Sequence, residues 1–352
     1  TLEQLEHANL FIVPLDGERR WYRYHHLFAE LLRQRQRRKA SSTADLHRLA
    51  SQWYEDNGLE IDAFQHAAAA GDIERAGRLI EGKGMPLYLR GSMASVIRWL
   101  ESLPASVLDA RPSLWVAYAS SLMMSGRPAA VEAKLQAAEA GLRGAGADSS
   151  TRNLVGHIAA MRALVAASRS DAGSMIDQSN RALEHLDADN LAVRTITSLT
   201  LGIAHQLNGN RPEACRVYAE AIEIGRASGN MMVTAGAASS LGQIQEAEYE
   251  LHLAAETYRQ LLEAVGDPSH MAAGEVHLGL ARIHYQWNDL ETAQGHAEQS
   301  ARLVQQLECD TRVACEVLLA RLMLARGDSA GAAALLAKAG ETARRSCFAS
   351  QA

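Results

Sequence analysis

The sequence predicts an all-α chain of stacked helix pairs fronted by a single β-hairpin. Three observations predict it: long runs of Ala, Leu, Glu, Gln and Arg at helical spacing, small residues that recur about every 40 positions, and one Asp-Gly step between β-prone segments near the start. With 352 residues the chain has room for two domains and a full core. Its formal net charge of -6 offers no global attraction to nucleic acid or to an anionic membrane, so any such contact has to be local.

The hairpin comes first. In "LFIVPLDGERRWYRY" two apolar or aromatic runs flank Asp16-Gly17, a strong short-range turn signal. "HHLFAELLRQR" then switches to helical spacing, with Leu27, Phe28, Leu31 and Leu32 on one stripe. A hairpin beside a helix is how a winged-helix unit ends, so residues 1–40 are expected to be the C-terminal part of such a domain. Residues 41–105 read as a helical linker or arm, and residues 106–352 as the repeat array, with no credible strand after Ser41.

The repeat rests on two registers. A small residue follows each turn and opens a second helix: Ala76, Ala130, Ala172, Ala214, Ala254, Ala293 and Ala332. A second small position, Gly202, Gly242, Ala281 and Ala320, precedes its anchor by a constant interval, where a first helix must let its partner approach. Tyr218, Tyr258 and Leu336, one turn past their anchors, are expected to fill the seams. Two small positions recurring in phase predict a tetratricopeptide-like superhelical solenoid, in which each repeat buries its apolar face on its neighbours and leaves an extended surface for binding. "RGAGADSS", residues 143–150, reads as its longest loop.

The four cysteines, Cys215, Cys309, Cys315 and Cys347, match neither a metal clamp nor a disulfide framework, and read as small core residues of a protein in a reducing compartment. "TLEQLEHANL" carries no long apolar run and no later segment approaches a membrane span, so the expected location is cytoplasmic. The first residue is Thr1 rather than Met, which suggests a piece of a longer protein.

Several motifs invite chemistry. "GRLIEGKG", Gly77 to Gly84, has the spacing of a phosphate-binding loop, but Gly84 stands where Ser or Thr is needed and the segment falls inside a helical run with no strand before it. Adjacent helical residues such as His25 and His26 point about 100° apart and cannot chelate together. No nucleophile elbow and no paired acids stand out, so neither catalysis, a metal nor a cofactor is expected of this chain itself. The basic run Arg33 to Lys39 is better read as a solvated helix C-terminus, whose dipole favours cations, than as a phosphate grip.

Counting along each first helix from its small position places Gln243, Glu246, Arg282, Tyr285 and Arg321 toward the inner groove, with His157 and Gln206 further up. Such a cluster fits a polar or anionic small molecule, Arg supplying a fork for a carboxylate; it also fits a groove that is polar because it faces water.

"EHANLFIVPLDGERRWYRYHHLFAELLRQR" resembles the winged-helix end of MalT-type signal-transduction ATPases, large regulators of the LuxR family in the STAND class. "LHRLASQWYEDNGLEIDAFQHAAAAGDIERAGRLIE" and "WLESLPASVLDARPSLWVAYASSLMMSG" are similar to the helical segment that follows it there, and the repeats to the family's sensor region. The resemblance implies an ATP- or ADP-bound parent whose winged helix folds over the nucleotide. Tyr24-His25-His26-Leu27 sits where that class has Met-His-Asp-Leu, so His25 takes the role of the ADP contact or else packs against the hairpin. It also implies three partners: a small-molecule inducer or regulatory protein on the solenoid, the parent's own nucleotide-binding domain, and DNA only through a helix-turn-helix that this chain lacks. The chain is thus expected to be the effector-sensing, signal-relay region of a MalT-like transcriptional activator, without a membrane. The rival expectation is a stand-alone tetratricopeptide scaffold for protein partners, which leaves the hairpin and "WYRYHHLF" unexplained.

Overall fold

The computed structural model describes the chain apart from residues 1–4, 6–7, 9–10, 18–21, 39–42, 83–85, 91, 145, 147, 267–271, 305–309 and 350–352. It divides into two compact units, residues 1–79 and 80–352, a break that falls inside the expected 41–105 segment.

The first unit opens with the expected hairpin. Strands β1 (Ile12–Pro14) and β2 (Tyr22–Tyr24) pair antiparallel, Ile12 opposite Tyr24 and Pro14 opposite Tyr22, with Asp16-Gly17 between them. Helix α1 (His26–Arg38) follows at once, and its Phe28 ring stacks on Phe11 at 4.9 Å and meets Tyr24 edge-on at 5.5 Å. Helices α2 (Thr43–Asp56) and α3 (Glu60–Ala70) then pack side by side on small residues. Ala63 and Ala67 are fully buried, and the Ser51 hydroxyl donates to the Ala63 carbonyl at 2.8 Å. Gly71, at φ 68°, caps α3 in the left-handed region that glycine adopts without strain, and α4 (Ile73–Glu81) begins two residues later. Gly77 to Glu81 lie inside α4, so the phosphate-loop spacing has no strand-loop-helix context here.

The second unit is all helical among the described residues: α5 (Met93–Ser102), α6 (Ala105–Asp109), α7 (Pro112–Met124), α8 (Val131–Leu142), α9 (Ser149–Ala167), α10 (Ala172–His185), α11 (Leu191–Leu207), α12 (Arg211–Ser228), α13 (Met231–Ala247), α14 (Leu251–Val265), α15 (Ala273–Gln286), α16 (Leu290–Val304), α17 (Asp310–Ala325) and α18 (Ser329–Ala349). None is long and apolar enough to cross a membrane. From α7 onward the helices form successive pairs, each helix packed on the next.

The seams follow the expected logic in five repeats and shift in two. In α12 the Asn210 side chain caps the helix, and Ala214, four positions on, is fully buried; Ala76, Ala254, Ala293 and Ala332 are buried likewise. In α10 the cap is Asp171, so the buried anchor is Met175 and Ala172 is merely the first helical residue. Before α8, Pro128–Ala130 is a 3-10 turn, which exposes Ala130 and makes Val131 the anchor. Tyr218 and Tyr258 are fully buried against the small positions: a Cβ built on Gly202 would sit 2.5 Å from Tyr218 Cε1, and one on Gly242 2.5 Å from the Tyr258 hydroxyl. Ala281 and Ala320 are also buried, but Leu336 on α18 is 44% exposed, so the expected seam contact is not made among the described residues. The 143–150 loop is shorter than expected, since Asp148 accepts from the Thr151 amide at 2.7 Å and starts α9 at Ser149. Cys315 is buried and Cys215 partly so, whereas the Cys309 and Cys347 side chains lie outside the described residues.

Candidate functional site

The first helices of successive pairs, α7, α9, α11, α13, α15 and α17, pack directly on one another in series. That closer spacing makes theirs the inner side of the repeat stack, and it is where two clefts open.

One open cleft, about 590 Å³, is bordered by α11, α13, α15 and α17. Leu199, Ile203 and Leu278 give it an apolar wall, and Ser239, Gln243, Glu275 and Arg282 bring polar groups to it. Of the sequence-predicted residues, Gln243 and Arg282 line it. Gln243 is exposed and donates to the Ser239 hydroxyl at 3.2 Å, and Thr311 donates to Glu275 at 3.1 Å across the α15–α17 step.

Arg282 is already engaged. Its Nε and Nη2 donate to the two carboxylate oxygens of Glu246 at 3.0 and 2.8 Å, and Nη2 also reaches the Tyr258 hydroxyl at 3.2 Å. Tyr258 in turn donates to Glu246 at 2.9 Å. Burial first, then the Glu246 charge, raises the Tyr258 hydroxyl pKa; burial is also the largest single effect on Arg282, lowering its pKa, but Glu246 and Tyr258 together more than restore the charged form. The fork expected to meet a ligand carboxylate therefore holds the protein's own Glu246, because the i-to-i+36 step brings neighbouring repeats into register. Tyr285 packs against the cluster of Leu278, Ala293 and Leu318, Arg321 is exposed on α17, and Glu246 is withdrawn into the ion pair; none of these three lines the cleft among its described residues.

The second cleft, about 470 Å³, was not singled out by sequence reasoning beyond His157. It lies between the Pro86–Tyr88 segment, α7, α9 and the start of α11, with Val116, Leu154 and Val193 as its apolar wall. His157 faces it from dense surroundings: its Nε2 is 3.2 Å from the Ser120 hydroxyl, and burial pushes its pKa down to about 4, so it is neutral at physiological pH. Asn153 accepts from the Asp187 amide and the Asn190 side chain at 3.1 Å each, stitching α9 to α11 at the rim. Gln206, the other residue placed further up, accepts from Tyr218 at 2.8 Å and serves the seam.

His25, in the first unit, is exposed at the start of α1, its amide donating to the Phe11 carbonyl at 2.6 Å and its ring 4.3 Å from that of His26.

A winged-helix end followed by a tetratricopeptide-type stack with polar inner clefts is the architecture of a regulatory sensor region. Residues 156–352 match the family described as the MalT-like TPR region and residues 1–44 the MalT winged helix domain, so the chain belongs to the MalT-like family. It is 30% identical over 360 residues, 97% of its length, to the serine/threonine-protein kinase PknK of Mycobacterium tuberculosis, of which that covers 31%. It is 27% identical over 332 residues, 93% of its length, to the HTH-type transcriptional regulator MalT of Serratia proteamaculans, covering 36%. The chain thus spans about a third of the length of these relatives. Among solved structures, the apo quorum sensor NprR of B. thuringiensis superposes with a TM-score of 0.52 at 14% identity, covering 83% of this chain and 77% of that one. A STAND protein with a tetratricopeptide repeat sensor from Pyrococcus horikoshii does so at 0.50 and 14% identity, covering 91% and 55%. At these identities the likeness is one of fold.

Proposed function

We propose that this chain is the effector-sensing and signal-relay region of a MalT-like, ATP-dependent transcriptional activator, taking a small-molecule inducer or regulatory protein on the inner face of its solenoid. The observation that carries the proposal is the 590 Å³ cleft formed jointly by four successive first helices, in a chain whose two ends match the winged helix and TPR region of MalT. An occupant touching all four helices favours one curvature of the stack, and that differential contact is what shifts a population of states. Gln243 is the ligand contact of first choice, with Arg282 held ready by Glu246 as its neighbour; Glu246 acts through Arg282, and Tyr285 and Arg321 are left as contacts only for an occupant that extends beyond the cleft. ATP and ADP belong to the parent protein, His25 being assigned to the ADP phosphate, and the chain contributes no catalytic step of its own. The parent's nucleotide-binding domain is the proposed recipient of the signal, DNA being reached only through a separate helix-turn-helix.

PknK supports a second reading of the output. A protein named as a serine/threonine-protein kinase shares nearly the whole of this chain at 30% identity, which supports phosphorylation as an alternative output of the parent. Both readings put sensing in the groove. The test is a thermal-shift screen of metabolites and peptides: a true effector raises the melting temperature in proportion to ligand excess over its Kd, and Gln243→Ala removes that rise while leaving the unliganded melting temperature in place. A hit whose effect survives Gln243→Ala overturns the assignment of the cleft.

A further inference from the structure

Away from both clefts, three histidines meet where α15 packs on α16. His277 and His284 stand two turns apart on α15, and His296 of α16 lies against them. The Nδ1 atoms of His277 and His296 are 2.9 Å apart, with ring centroids at 5.1 Å; the His284 ring is 5.6 Å from that of His296. His284 Nδ1 is 3.1 Å from an Asp289 carboxylate oxygen.

We propose that His277 and His296, joined by His284, form a binding site for a first-row divalent cation, zinc foremost, that clamps α15 to α16. Tetrahedral zinc holds imidazole nitrogens at about 2.0–2.1 Å, so two such ligands stand roughly 3.3 Å apart. The pair at 2.9 Å reaches that by opening a few tenths of an ångström, a small turn of either ring. Metal ligation needs a lone pair on each nitrogen, and the direct contact between the two Nδ1 atoms shows that both are aimed at one place. In the metal-free pair one Nδ1 carries the shared proton. On binding, that proton transfers through solvent to Nε2 of the same ring, so both Nδ1 atoms present lone pairs and no net proton is released.

His284 completes the argument. Its Nδ1 is committed to Asp289, leaving Nε2 as the available donor, and a carboxylate on the far nitrogen is the arrangement that sets the tautomer of metal-bound histidines. Among the described residues no three ligating groups already converge on one point, so His284 swings in on binding and water takes the remaining position. The first unit supplies an internal comparison. His47 and His66 make the same Nδ1 contact at 2.8 Å, but there Tyr54, not a third imidazole, stacks on His66.

The experiment uses the untagged 352-residue chain, titrated with Co²⁺ by visible absorption and with Zn²⁺ by calorimetry. The expected result is one saturable site per chain with the d–d band of tetrahedral cobalt. His296→Gln abolishes it, Asp289→Asn and His284→Gln weaken it by about 10–100-fold, and His66→Gln leaves it unchanged. Asp289 is a half-exposed surface residue, so Asp289→Asn remains readable should His296→Gln disturb folding. Absence of the band, affinity unmoved by both His296→Gln and Asp289→Asn, or loss with His66→Gln overturns the site and leaves the α15–α16 pair as packing alone.

Discussion

Replacing Gly242 by Ala tests the repeat geometry at its tightest point. The added Cβ would stand 2.5 Å from the Tyr258 hydroxyl and 2.7 Å from Cε1, well inside van der Waals contact. The ring has no escape: on its other edge the Gly279 backbone packs so close that a Cβ there would overlap Cε2 and Cζ, the residue is fully buried, and its hydroxyl is held by Glu246 and Arg282. Two terms compete. Alanine improves helix propensity by about 1 kcal/mol, whereas overpacking a core that cannot yield costs about 1–3 kcal/mol and sometimes more. With the ring pinned on three sides the upper end applies, giving a net loss of about 2 kcal/mol. Gly236→Ala is the matched control, since its Cβ meets only Leu199 Cδ2 at an ordinary 3.6 Å; there the propensity term acts alone and the variant gains about 0.5–1 kcal/mol. Urea denaturation followed by circular dichroism reads both. Gly242→Ala within 0.5 kcal/mol of the parent, or as stable as Gly236→Ala, would refute the claim that glycine is there to admit the tyrosine.

The network beneath that ring can be dissected with the same assay. Tyr258→Phe removes one buried hydroxyl but leaves Glu246 and Arg282 paired, and should cost about 1 kcal/mol. Glu246→Ala strands the mostly buried Arg282 cation and should cost about 3 kcal/mol, the low end of the usual 3–5 because 27% of the Arg282 side chain still reaches water; a cost below that of Tyr258→Phe would contradict the ion-pair account. For pH, His157 and His296 have folded pKa values near 4 against about 6.5 unfolded, so the unfolded chain binds more protons between those values. Stability should be level above about pH 7 and fall as pH drops from 6.5 toward 4, and His157→Gln should flatten the fall; an unchanged slope would show that His157 is not the buried neutral group described.

Much of the fold was legible because repeats leave periodic marks. Gly202, Gly242, Ala281 and Ala320 recur since a first helix must admit its partner, and Tyr218 and Tyr258 announce what enters the gap. The Asp16-Gly17 hairpin was legible for a local reason, a turn between β-prone runs. Errors came where local capping moved the register: Asp171 capping α10 shifted the anchor from Ala172 to Met175, and the 3-10 turn at Pro128 shifted it from Ala130 to Val131. The site was less legible. Helical counting brought Gln243 and Arg282 to one cleft, but not the fact that Glu246, 36 residues away, fills the Arg282 fork. The second cleft draws on segments from Glu81 to Val193, and the His277–His296 contact joins two helices; neither leaves a short motif.

The chain carries a winged-helix end and a MalT-like stack of helix pairs, and the proposal that it serves a nucleotide-switched activator is most directly tested by the reading frame itself. Sequencing the gene on both sides of the segment should reveal a strand-GxxxxGK[ST]-helix upstream and a helix-turn-helix downstream. Stop codons close to both ends would contradict it and leave a self-contained scaffold, while a kinase module in place of the helix-turn-helix would keep the sensor and overturn its transcriptional output.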